Sequence, residues 1–304
     1  MTKVTYIVNF HNQEDYIEKV INSIKALKGN FRKEYCFIND GSTDNSLELI
    51  KLHSKELTNS VVISKEYGSH SKYSPLDMAQ GEYVKFVAGN EILEQDATIN
   101  LLDSLATHGH RVAFGIQGTY ENLNPSKVSS GLNNNPKFVI NNPVSELLNS
   151  AGKHIKTICS SASLYSRDLL EEVTRSDNEV FKQDIFLLLK CAAKTNFVFC
   201  PKTISYKPVD KLNKIYISKE FEHYNKILAI RKLLDFDPQI AEKHRKEIYS
   251  SVISTIWQID KTNYELLPEY ILSKIYTPSY NLGDLKIFVD RALKKIFFKC
   301  SIHS

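Results

Sequence analysis

The chain has 304 residues, 42% hydrophobic content and a formal net charge of +4, enough for one large or two modest domains with a substantial core. Acids and bases are interleaved throughout, so the mild positive balance gives no case for nucleic acid binding, and no run approaches the roughly 18 consecutive apolar residues of a membrane span. The five cysteines, Cys36, Cys159, Cys191, Cys200 and Cys300, form no Cys-x-x-Cys spacing. Met1-Thr-Lys-Val4 leads into a strand pattern without a signal sequence, so a reduced, cytoplasmic protein lacking disulfides and structural zinc is expected.

In chain order, Val4–Val8 is a short β-rich run. After Asn9-Phe-His-Asn12 a helix pattern begins at Glu14, with Ile17, Val20, Ile21, Ile24 and Leu27 at 3.6-residue spacing. Glu34–Ile38 reads as a second strand that breaks into Asn39-Asp-Gly-Ser-Thr-Asp-Asn-Ser46 and resumes as the apolar-periodic Leu47–Ile50. That pattern delivers an acid to a tight glycine turn with capping residues behind it, Asp44 being the expected cap. Further strands are expected at Val61–Ile63 and Tyr83–Val87, then a helix ending near Leu105 and a strand from near Val112. Strands alternating with helices argue for a mostly parallel sheet with helices on both faces. In an open sheet of that kind ligands sit outside the carboxyl ends of the strands.

His108-Gly-His110 reads as an exposed connection rather than a metal pair, because no third ligand is visible. Residues 118–153 are rich in Asn, Ser and Pro and read as loops with short helical pieces. Ser160–Ser166 reads as a strand, Arg167 to about Val173 as a helix, Gln183-Asp184 as the opening of an apolar helix, and Asn196–Cys200 as a last strand ended by Pro201. From about Pro208 the pattern is helical, with apolar spacing at Phe221, Tyr224, Ile227, Leu228 and Leu233-Leu234 and again through Ile248–Ile259. The final stretch, Leu285–Lys299, mixes apolar residues with Lys286, Arg291, Lys294, Lys295 and Lys299, as a basic amphipathic helix does.

Four landmarks in order carry a family resemblance: the first strand with Asn12, the Asn39–Asp44 turn, Ala79-Gln-Gly-Glu-Tyr-Val84 leading into the fourth strand, and Gln183-Asp184. From Val4 to about Lys207 the chain resembles the family-two glycosyltransferases, which transfer a sugar from a nucleotide-sugar to an acceptor with inversion. The resemblance implies an α/β GT-A fold, a Rossmann-like, mostly parallel sheet flanked by helices, with a helical C-terminal extension. It implies a GT-A domain over 1–207, divided into a nucleotide-sugar half at 1–117 and an acceptor half at 118–207, followed by a helical region at 208–304.

The same resemblance implies site roles. Asp40 would face the uracil or ribose of the donor, with the backbone around Val8 to Phe10, Asn9 included, lining the base pocket. Lys72 would meet the phosphates, assisted by His70, and Asp184 would be the catalytic base, with Gln183 standing where relatives carry a first acid. Relatives usually place an Asp-x-Asp cluster after the fourth strand to hold Mn²⁺ or Mg²⁺ against the diphosphate. Here the residues read Val87-Ala-Gly-Asn-Glu91, in which Asn90 offers a neutral carbonyl and Glu91 the only charge, so metal dependence is expected to be weak, rearranged or absent.

The partners implied are a nucleotide-sugar, a UDP-sugar by analogy, and a glycan or lipid-linked acceptor of bacterial surface polysaccharide or lipopolysaccharide synthesis. The terminal basic helix would contact the inner face of the membrane. The rival reading is a non-catalytic GT-A-like binding or scaffold protein that has lost its metal site. A nucleotidyltransferase would want a glycine-rich basic phosphate loop after the first strand, and Asn9-Phe-His-Asn12 is not one.

Overall fold

The computed structural model describes residues 1–66, 75–121, 124–125, 138–149, 158–175, 184–209, 219–259 and 281–302. The chain divides into two compact units. The first comprises Met1–Asn141, Thr157–Glu179 and Thr195–Val209, and the second Asn142–Lys156, Val180–Lys194 and Asp210–Ser304.

The first unit is built on a sheet of ten strands: β1 Lys3–Phe10, β2 Arg32–Asp40, β3 Ser60–Lys65, β4 Tyr83–Ala88, β5 Ile92–Leu93, β6 Val112–Glu121, β7 Asn124–Pro125, β8 Phe138–Ile140, β9 Ser163–Ser166 and β10 Phe197–Pro208. Its main path runs β3-β2-β1-β4-β9-β6-β10-β5. The β3-β2-β1-β4 half is wholly parallel, and β6 pairs β10 in parallel. The short β9 lies antiparallel between β4 and β6. Most of the paired length is therefore parallel, and β1, β2, β3, β4, β6 and β10 all end on one edge.

Helices α1 (Glu14–Lys25), α2 (Ser46–Ser54), α3 (Ala97–His108) and α5 (Arg167–Thr174) belong to this unit; α4 (Pro143–Leu148) belongs to the second. Alternation sets the core face of β1: Val4, Tyr6, Val8 and Phe10 share one cluster with Ile17, Val20, Ile21 and Ile24 of α1 and Leu101 and Leu105 of α3. The buried Tyr6 hydroxyl finds its partner 2.7 Å away in Thr98 Oγ1, as a phenol inside a core must. Gly109 closes α3, donating to Leu105 O at 2.8 Å, so His108-Gly-His110 is a helix end leading into β6.

Two expectations are corrected here. Residues Ser160–Ala162 form a 3₁₀ turn, and only Ser163–Ser166 is strand. The last strand does not stop at Pro201 but runs to Pro208. Its pairing with β6 is irregular between Phe199 and Thr203, and a bulge is where a strand tolerates a residue with no N–H to give.

The second unit is helical in its described residues: α4, α6 (Asp184–Lys194), α7 (Lys219–Phe236), α8 (Pro238–Lys243), α9 (Arg245–Ile259) and α10 (Leu282–Ile302). Ile227, Ile230, Leu233 and Leu234 of α7 are buried together with Ile248, Val252 and Ile253 of α9 and Leu285, Val289 and Ile296 of α10. The apolar stripe of α10 therefore packs within its own unit, leaving Arg291, Lys294 and Lys295 exposed beside Ile287 and Phe297. No described helix is long and apolar enough to cross a membrane. Cys36, Cys191 and Cys200 are buried, and Cys159 is partly buried.

Candidate active site

The carboxyl ends of β1 to β4 carry a lattice of short hydrogen bonds. Gly41, at φ 66°, turns the chain immediately after Asp40, a conformation in which a Cβ is costly. Behind it Asn39 Oδ1 accepts from Ser42 N at 3.0 Å and Asn39 Nδ2 donates to Ser64 Oγ at 2.9 Å. Asn12, itself at φ 49°, accepts from Thr43 N on Oδ1 at 2.8 Å, while its own N–H donates to Ser42 Oγ at 3.1 Å. The loops after β1 and β2 are thereby tied to one another as well as to the end of β2.

Asp44 fulfils its expected role and adds a second. Its Oδ1 accepts from Ser46 N at 3.0 Å at the start of α2, and its Oδ2 accepts from Glu14 N at 3.1 Å at the start of α1. Glu14 returns the favour, taking Asn45 N on Oε2 at 2.9 Å. Each helix start thus supplies an acceptor for the other, satisfying N–H groups that have no partner within their own helix. Burial works against the Asp44 charge, yet the bonds from Ser46 and Glu14 prevail and hold its carboxyl below the ordinary value of 3.8.

Asp40 stands at the end of β2, half-buried, with Oδ1 2.7 Å from the Lys65 ammonium at the end of β3. The two residues are in register across the parallel pair. The Asp40 carbonyl accepts from His11 Nδ1 at 2.7 Å. Lys65 and His11 were not singled out from sequence. His11 sits in the loop after β1 without a distinguishing spacing, and Lys65 becomes visible only once the β2–β3 register is known. Asn9 is partly buried, and its carbonyl accepts from Gly89 N at 2.7 Å, joining the β1 and β4 ends. Lys72 and His70 lie outside the described residues. Asp184 is the first residue of α6, in the second unit; Gln183 lies outside the described residues.

The end of β4 departs from a metal-holding edge. Ala88 is exposed and has no side-chain oxygen, and Gly89 is buried so tightly that a Cβ would come within 2.5 Å of Phe10 Cβ. The Asn90 carbonyl accepts from the Tyr120 hydroxyl at 2.8 Å. Glu91, 1% exposed, turns inward: Oε1 accepts from Gln117 Nε2 at 3.1 Å and Oε2 from Ala88 N at 3.2 Å. Gln117 Nε2 also donates to Ser161 Oγ at 2.7 Å, and the carbonyl of Ser161 accepts from the buried Lys85 ammonium. Burial pushes the Glu91 carboxyl up, against the pull of Lys85, and pushes the Lys85 ammonium down. Among the described residues no group of three His, Cys, Asp or Glu side chains could hold a metal ion. The expectation that Glu91 and Asn90 provide a weak metal site thus meets a poor fit, because the one carboxylate is already used by the interior.

Several known proteins are similar to this chain. The chain is 30% identical over 128 residues to glycosyltransferase GlyA of Streptococcus pneumoniae, covering 41% of this chain and 18% of that protein. It is 24% identical over 282 residues to the poly(ribitol-phosphate) β-N-acetylglucosaminyltransferase TarS of Staphylococcus aureus, covering 86% and 46%. The chain therefore spans less than half the length of both. The crystal structure of TarS residues 1–349 superposes with a TM-score of 0.61 at 19% identity, over 97% of this chain and 88% of that one. The same fragment in complex with UDP-GlcNAc gives 0.57 at 16% identity, over 98% and 92%. The α/β architecture, with its central mostly parallel sheet flanked by helices, is that of the GT-A glycosyltransferases. The sequence profile of glycosyl transferase family 2 matches residues 5–174, more than half of the chain, and the chain belongs to that family.

Proposed function

We propose that this chain is an inverting glycosyltransferase that moves a sugar from a UDP-sugar to a glycan or lipid-linked acceptor of a bacterial surface polymer. The observation that carries the reading is the sheet edge of the first unit, where Asp40, Asn9, His11 and Asn12 stand together at the carboxyl ends of parallel strands. Such an edge is where open α/β sheets take nucleotides. Asp40, held by Lys65, offers carboxylate oxygens as acceptors to the base or ribose, and Lys72 meets the diphosphate. The names of the relatives support a surface-polymer acceptor, and a UDP-GlcNAc complex of TarS supports a UDP donor.

In the reaction, the acceptor hydroxyl oxygen bonds to the anomeric carbon as the bond to the diphosphate oxygen breaks on the opposite face. Asp184 takes the proton from the attacking hydroxyl, and the leaving diphosphate keeps the bonding electrons. The exposed Arg291, Lys294 and Lys295 of α10 support contact with an anionic membrane surface; the apolar stripe of that helix is used internally.

Calorimetric binding of UDP and a panel of UDP-sugars to the wild type and to Asp40→Ala tests the donor site. Binding that weakens at least about tenfold, near 1.4 kcal/mol, in the variant is expected. Absence of nucleotide binding by the wild type would favour the non-catalytic scaffold reading.

A further inference from the structure

Among the described residues, the end of β4 does not offer what a divalent ion at a sheet edge would require. A hard divalent cation needs carboxylate oxygens turned toward it. Ala88 supplies none, and Gly89 admits no side chain, since a Cβ there would lie 2.2 Å from Gln13 Oε1 and 2.5 Å from Phe10 Cβ. Glu91 has both oxygens committed to Gln117 and to the main chain of Ala88. For Glu91 to swing outward, the Ala88 N–H would lose its acceptor and the fully buried Lys85 would lose its neighbouring counter-charge, which is the costly way to break a buried polar cluster.

The same bonds give Glu91 another task. It lies three residues beyond Ala88 and ties back to that residue's N–H, closing the 88–91 turn from beneath, while Tyr120 holds the Asn90 carbonyl from β6 and Asn9 holds Gly89 from β1. Three independent ties fix one short piece of main chain at the edge where the donor is proposed to bind.

We propose that Glu91 is a buried positioning residue that shapes the 88–91 turn, and that this edge binds its nucleotide without a divalent ion. The second half of the statement rests on the donor reading above; the first does not.

Two measurements on the full chain separate them. In a Mn²⁺ titration followed by electron paramagnetic resonance, the free-ion signal should show no uptake tighter than about 1 mM, with or without UDP beyond what UDP alone takes up. In calorimetry, UDP affinity in Mn²⁺ and in chelator should agree within about twofold. Uptake of one Mn²⁺ per chain that Glu91→Gln removes, or UDP binding more than about tenfold tighter with Mn²⁺, would overturn the proposal. No Mn²⁺ uptake together with no UDP binding under either condition would sink the donor reading while upholding the ion-free edge. Glu91→Gln, which keeps the shape and one of the two acceptor oxygens, should retain UDP affinity within about threefold, whereas Glu91→Ala should lose more than tenfold; equal affinity in the two variants at matched folding would remove the positioning role.

Discussion

Two carboxylates stand at or just beyond strand ends on the same edge of one sheet, and their surroundings are opposite. Asp40 ends β2, is half-exposed, and is paired with a Lys65 that reaches it from the neighbouring strand end. Glu91 follows β4, is almost fully buried, and is held by an amide side chain and a main-chain N–H. The difference comes from how each strand ends. Gly41 turns the chain at once and leaves Asp40 on the rim, whereas the 88–91 turn carries the chain three residues further and brings Glu91 back beneath it. A strand-end acid is therefore a ligand candidate only when the turn behind it keeps it on the rim.

The largest test of this contrast is Glu91→Ala. Removing the side chain leaves the Gln117 amide and the Ala88 N–H without their acceptor and should cost about 2–5 kcal/mol, at about 1–3 kcal/mol for each buried donor left unsatisfied, read as a lowered midpoint in denaturant unfolding of the full chain. A loss no larger than that of a rim substitution would break the comparison.

A middle-sized effect is expected at the joint helix start. Asp44→Ala removes acceptors from both α1 and α2 and should cost about 1–2 kcal/mol. Because the folded-state carboxyl is held below its ordinary value of 3.8, its contribution is present above that value and is lost as the pH falls below it. The wild type and Asp44→Ala should accordingly converge in stability on acidification, and parallel curves down to acid unfolding would remove the cross-capping account.

The smallest effect on stability belongs to Lys65→Ala. A half-exposed ion pair contributes about 0–1 kcal/mol, so its unfolding midpoint should barely move, while UDP affinity should fall because Asp40 loses the group that orients it. A large stability loss with unchanged affinity would reverse the assignment of rim and interior.

Much of this architecture was legible in the sequence. The 3.6-residue spacing from Ile17 to Leu27, the Asn39–Asp44 turn and the alternation of strands with helices depend on local periodicity and turn chemistry, which a single chain displays directly. Pro201 misled, because a proline ends a strand only where its missing N–H is needed, and the irregular pairing with β6 removes that need. The partnership of Asp40 with Lys65 depends on register across 24 intervening positions, and the inward turn of Glu91 depends on Gln117, Ser161 and Lys85 arriving from three separate segments. Neither is a local property. The roles given to Lys72 and Asp184 rest on the family resemblance.

The short strand β9 has a consequence for how the protein comes into being. Residues 163–166 form the antiparallel bridge between β4 and β6, so although β6 is made soon after β4, no strand pairing joins the two until about forty-five more residues have been added. During that interval a nascent chain on the ribosome carries two bare strand edges, the situation that invites wrong pairing with other chains. Addition of β9 covers both of those edges, and β10, made last, then completes the far side of β6, so a chain truncated ahead of Ser163 should aggregate rather than behave as a smaller folded protein.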